Sequence, residues 1–128
     1  MSTSGRRIST DDATRLVNEY KKTKKPLLED GLAKNPETTS VWFDYNFCTE
    51  LMEELQKEQV NGLRIYFGAY DGGAPDEVNK NKMTVVLVST VGARTQDWGD
   101  DNLSGDGSAL DAFNDGRLCP PRCNGATL

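Results

Sequence analysis

Apolar residues first recur at helical spacing, with Ala13, Leu16, Val17 and Tyr20 at i, i+3, i+4 and i+7. Ser9 ahead of them suits an N-cap, Asp12 three positions on echoes a capping box, and Ile8 can staple onto Ala13. The spacing predicts a helix over about Thr10–Thr23 that stops before Pro26. Pro26, Gly31 and Pro36 break regular structure after it, so residues 25–40 read as a connector that Leu27, Leu28 and Leu32 can dock.

Val41-Trp42-Phe43 is short and β-prone. Asp44 can then cap a second helix whose inner face is Phe47, Leu51 (with Met52) and Leu55, ending near Gln59. Cys48 is expected beside that face as a small core residue. Asn61-Gly62 marks the exit turn. Leu63, Ile65 and Phe67 next alternate with Arg64, Tyr66 and Gly68, and residues 83–88 run apolar on both faces, which suits a central strand. The polar stretch from Asp71 to Asn81 makes the pair a hairpin with an extended loop. Two strands alone are marginal. A third is expected from residues 41–43, from the segment near Leu118, or from a second copy of the chain.

Residues 92–117 are rich in Gly and Asp, with Trp98, Leu103, Leu110 and Phe113 as scattered anchors, and read as a long loop laid over the core. The expected architecture is therefore a single α+β domain over residues 1–128. Two N-terminal helices pack on a small antiparallel sheet, and a long acidic loop and a C-terminal Cys-Pro-Pro bracket close one side.

Composition narrows the function. A chain of 128 residues holds one modest core, and its net charge of −5 argues against general nucleic-acid binding. The charge is uneven: residues 1–25 carry +4 and the remainder −9. The lysines at 21, 22, 24 and 25 sit at the predicted helix end, where cations favour the helix dipole. No apolar stretch is long enough to cross a membrane, and no hydrophobic segment follows Arg6-Arg7 as in a signal peptide, so a cytoplasmic protein without a membrane partner is expected. Histidine is absent. That removes Ser-His-Asp and Cys-His catalysis and histidine metal sites. Carboxylates, lysine, tyrosine and cysteine remain for proton transfer, but no pair of them stands in a telling arrangement, which disfavours an enzyme.

The densest use of rare residues is Cys119-Pro120-Pro121-Arg122-Cys123. Proline fixes φ, so the diproline holds the two thiols on a short bracket. The bracket can be local structure with thiols reduced or reversibly paired, a stable disulfide, a soft-metal site or a redox pair. Zinc would need four ligands, and Cys48 is the one further thiolate. The C-x-x-x-C spacing differs from the C-x-x-C of redox enzymes. A second candidate is the acidic stretch 100–111. It places Asp100, Asn102 and Ser104 as side-chain ligands, Gly105 at the sharp turn, Asp106 as a carbonyl and Asp111 at the closing position of an EF-hand-like calcium loop. Gly107 stands where a branched apolar residue is usual, Asp111 is shorter than the usual glutamate, and no helix leads in, so a solvated loop is the plainer reading. Arg64, Tyr66, Tyr70 and Trp98 are candidate interface anchors, because arginine and aromatics dominate interface energetics. Half-buried packing is the plainer reading for each.

The segments Trp42-Phe43-Asp44, Gly62-Leu63-Arg64-Ile65-Tyr66-Phe67-Gly68, residues 85–90 and the closing Cys119–Cys123 bracket together resemble a family of small hypothetical proteins from Bacteroidota. That family shares a "GLRIYFG"-like strand and a C-terminal "CPPxC". The resemblance implies a bacterial, cytoplasmic protein and carries over no catalytic residue. The expected function is a non-enzymatic protein-interaction or assembly module. The alternative is a thiol-dependent protein, redox or metal-linked, acting through Cys119 and Cys123, or a calcium loop at 100–111.

Overall fold

In the computed structural model, which describes residues 5–29, 37–71, 81–105, 112–120, 122–123, 125 and 127–128, helices and antiparallel strands combine in an α+β fold. The elements are α1 (Thr10–Thr23), α2 (Lys25–Glu29), β1 (Ser40–Trp42), α3 (Tyr45–Leu55), β2 (Val60–Ala69), β3 (Met83–Val91), β4 (Asp100–Asp101), β5 (Ala112–Phe113) and β6 (Arg117–Cys119). Contacts divide the chain into two compact units. One is built chiefly from Phe43–Phe67 and Val85–Gly116, the other from Arg6–Trp42, Gly68–Thr84 and Arg117–Leu128.

The first unit is a helix on a sheet. Asp44 caps α3 by accepting the Phe47 amide at 2.8 Å, as its position predicts. Phe47 then stacks on Phe43 and meets Phe113 of β5 edge-on, with centroids 4.8 and 5.5 Å apart. Such rings fix α3 against the strand that carries Phe113. The helix stops at Leu55, four residues short of Gln59, because the Gln56 and Lys57 amides close back on Glu53 and Glu54 in a tighter turn. Asn61-Gly62 is consequently no exit turn but lies inside β2, where Gly62 keeps the backbone close to Thr90.

The sheet has the order β2-β3-β4, with β5 also pairing β3. β3 is central, as its two-faced apolar run predicts, and Leu87, Val88, Ser89 and Thr90 are all buried there. Its further partners come from the segment read as a loop. Thr90 and Val91 pair with Asp101 and Asp100, and Leu87 and Val88 with Phe113 and Ala112. The Asp-Asp pair of β4 has no intrinsic β preference, and the register of both short strands is set by β3. Two buried hydroxyls are satisfied internally: Ser89 donates to Glu54 and Thr90 to Asn61.

In the second unit Ser9 caps α1, accepting the Asp12 amide at 3.0 Å. Asp11 and Asp12 open the helix and Lys21 and Lys22 close it, matching the dipole. Of the predicted stripe, Ala13, Val17 and Tyr20 are half-buried, while Leu16 is exposed. Tyr20 donates to the Thr38 carbonyl at 2.5 Å, and burial followed by Glu37 and Glu29 holds its phenol above the ordinary range. The connector contains the short α2. Pro26 is tolerated there because a first-turn residue has no intrahelical amide bond to lose, and Lys25 pairs with Glu29 at 3.1 Å. Glu37 is buried, and its carboxylate accepts the Thr38 and Met83 amides at 2.8 and 2.6 Å.

Residues 41–42 and Leu118, both candidates to extend the hairpin, instead pair with each other. β1 and β6 form a separate two-stranded ladder with Ser40 opposite Cys119, Val41 opposite Leu118 and Trp42 opposite Arg117. Leu118 is 1% exposed and anchors this unit's core, and Arg117 lies over the Trp42 ring at 5.9 Å. Lys82 is buried too, and its ammonium donates to the Pro120 carbonyl.

Candidate interaction surface

β2 is the last strand of its sheet among the described residues, and its sequence decides what each face shows. Side chains alternate along a strand, so Arg64 and Tyr66 share one face and Ile65 and Phe67 the other. On the first face, Arg64 Nη1 donates to Asp101 Oδ1, the Tyr66 hydroxyl donates to Asp101 Oδ2, and Arg64 Nη2 reaches the Gly99 carbonyl at 3.0 Å. Asp101 is placed for this by pairing opposite Thr90 on the far side of β3. The hydrogen bond to the Asp101 carboxylate, more than desolvation, holds the Tyr66 phenol above the ordinary tyrosine range. The same carboxylate raises the Arg64 guanidinium further.

On the opposite face two large apolar side chains stand largely exposed. Ile65 is 54% exposed and Phe67 79% exposed, side by side on one strand. Scattered exposed apolar residues are ordinary, but two large ones at i and i+2 on an open edge form a row. Trp98, which shares a cavity lining with Arg64, is 59% exposed.

A cavity of about 430 Å³ opens beside Arg64, with Asn61, Thr90, Arg94, Gln96 and Trp98 in its walls. Three of its side chains spend their donors on the backbone. Asn61 Nδ2 donates to the Ala93 and Trp98 carbonyls, Gln96 to Trp98, and Arg94 to Val60 and Lys57. These bonds tie residues 92–99 to the start of β2, so the cavity wall is a brace. Gly99 is required in it: a Cβ there would stand 2.5 Å from Asn61 Oδ1 and 2.7 Å from Thr90 Oγ1.

Of the anchors expected from sequence, Arg64, Tyr66 and Trp98 thus belong to one unit, with Arg64 and Tyr66 bound to Asp101 and Trp98 exposed. Tyr70 lies in the other unit, where its hydroxyl accepts from Thr84 at 3.4 Å. Asp101, Ile65 and Phe67 escaped the sequence reading. Asp101 carries no local signal, and alternation alone cannot tell which face of β2 is uncovered.

In the stretch read as a calcium register, Asp100 and Asp101 are extended and sheet-paired, and the Asn102 amide donates to Ser89 at 3.0 Å. Asp106 and Asp111 lie outside the described residues. Among the described residues no three His, Cys, Asp or Glu side chains gather as a metal site. Cys119 and Cys123 are joined as a disulfide with Cα atoms 4.8 Å apart. Cys48, expected in the core, is exposed, because α3 turns Phe47, Leu51, Glu54 and Leu55 inward instead. No helix among the described residues is long and apolar enough to cross a membrane.

Compared with protein-family models, curated proteins and solved structures, the chain matches none of them.

Proposed function

We propose that the protein is a protein-interaction module that takes an extended partner segment at the open edge of β2. The observation that carries this reading is the pairing of a strand edge that has no partner strand among the described residues with the exposed Ile65–Phe67 row. A terminal strand offers a line of amide and carbonyl groups, and proteins blunt such edges with lysine, proline or bulges. β2 has no lysine or proline over its ten residues, and its single formal charge, Arg64, is bound to Asp101. Strand addition would supply main-chain hydrogen bonds for affinity, with Ile65, Phe67 and Tyr66 reading alternate side chains of the partner.

The test is selection of peptides from a random library on the intact protein, followed by binding to an Ile65→Lys/Phe67→Lys variant. Charges at these two exposed positions should weaken the selected peptides by on the order of tenfold or more while the melting temperature stays close to that of the parent. Equal binding to the variant would overturn the reading.

A further inference from the structure

The interaction reading leaves the Cys119–Cys123 disulfide without a role, and its two ends differ sharply. Cys119 is part of β6, opposite Ser40 in the ladder; its carbonyl accepts the Thr39 amide at 2.6 Å, and the residue is 8% exposed. Cys123 is exposed. The backbone on the Cys119 side is held without help from the sulfur bond, since the Arg122 amide donates to Leu118 at 2.8 Å and Lys82 to Pro120. A cavity of about 540 Å³ lies beside the bond, walled by Val17, Lys21, Thr39, Ser40 and both cysteines. Thiol–disulfide exchange depends on which sulfur an incoming thiolate can reach. Here the more exposed of the two residues is Cys123.

We propose that this disulfide is an exchange site for an external dithiol, entered at Cys123 Sγ. The incoming thiolate bonds to Cys123 Sγ as the Cys119–Cys123 bond breaks, and Cys119 leaves as a thiolate that takes a proton from solvent. The second thiolate of the dithiol then attacks the first sulfur, closes its own disulfide and releases Cys123, which is protonated in turn. The dithiol gives up two electrons and the cysteine pair receives them. The β1–β6 ladder stays formed throughout, because its hydrogen bonds are made by backbone that does not move with the sulfurs.

The experiment uses the full chain with Cys48→Ser, so that no other thiol reports. The oxidised protein is treated with glutathione without denaturant, quenched in acid, alkylated and mapped by peptide mass spectrometry. The account predicts a mixed disulfide on Cys123 in about tenfold excess over Cys119. It also predicts full reduction by dithiothreitol with unchanged amide exchange at Leu118. Adducts on Cys119 or divided evenly, or reduction that requires denaturant, would overturn it. In single-thiol variants, the Cys123 thiol left by Cys119→Ser should react with a chromogenic disulfide about tenfold faster than the Cys119 thiol left by Cys123→Ser. Equal rates would count against the proposal, and the mapping on the parent disulfide stands whether or not both variants fold.

Discussion

Arg64 and Asp101, 37 residues apart in sequence, form an ion pair that reaches over β3, from β2 to β4. The pair does two things at once. It cancels the one formal charge on an otherwise uncharged edge strand, and it gives the Tyr66 hydroxyl a fixed carboxylate to bind. Arg64 and Tyr66 are thereby stitched down on one face of β2, while Ile65 and Phe67 on the other remain exposed. Because the guanidinium is substantially exposed, the pair matters more for position than for stability.

Tyr66 should titrate late, above the ordinary tyrosine value of about 10. Its phenol is favoured in the folded protein while it stays protonated, so this contribution is complete below the unfolded pKa and disappears as pH rises through the folded one. Tyrosinate absorbance against pH checks this. Two phenols, Tyr20 and Tyr66, should ionise late in the parent, and Asp101→Asn should return one of them to the ordinary range. An unchanged curve in the variant would count against the Asp101–Tyr66 bond.

Ser89 is fully buried and gives its hydroxyl to Glu54, itself buried and paired with Lys57 at 2.6 Å. Glu54→Leu removes that acceptor from a buried hydroxyl and should cost about 1–3 kcal/mol in denaturant unfolding. Lys57→Ala takes the ammonium away from that buried carboxylate and should also destabilise, by about 1–3 kcal/mol. No loss in either variant would count against the Ser89–Glu54–Lys57 arrangement.

Leu118 holds the core of the β1–β6 unit. Leu118→Ala leaves a cavity and should destabilise by about 2–5 kcal/mol in the same measurement. Val41→Ala, opposite it but only half-buried, should cost less.

Gly99→Ala should be costly for a different reason, since the new methyl meets Asn61 and Thr90 rather than a void. Relief requires breaking the Asn61 bond to Thr90 or the bond to the Trp98 carbonyl, at about 1–3 kcal/mol. In a Trp42→Phe background, Trp98 fluorescence should shift in this variant. An unaltered spectrum together with unaltered stability would mean that the brace is looser than described.

Local rules carried far in this chain. Ser9 and Asp44 cap helices where their sequence contexts place them, and β3 is central because both of its faces are apolar. What escaped was set by distant partners. β4 and β5 are recruited by β3 from Asp- and Gly-rich sequence, and β1 finds β6 some 75 residues away rather than joining the nearby hairpin. The Arg64–Asp101–Tyr66 group follows from that recruitment. So does the exposure of Phe67, since alternation predicts two faces but not which of them another element covers.

The most direct test of the edge-strand account is amide hydrogen exchange across β2, with and without a library-selected peptide at saturation. Strand addition predicts new protection confined to alternate amides within residues 60–67, those pointing away from β3, and its loss in the Ile65→Lys/Phe67→Lys variant. Protection that appears outside β2 while those amides exchange unchanged would contradict it.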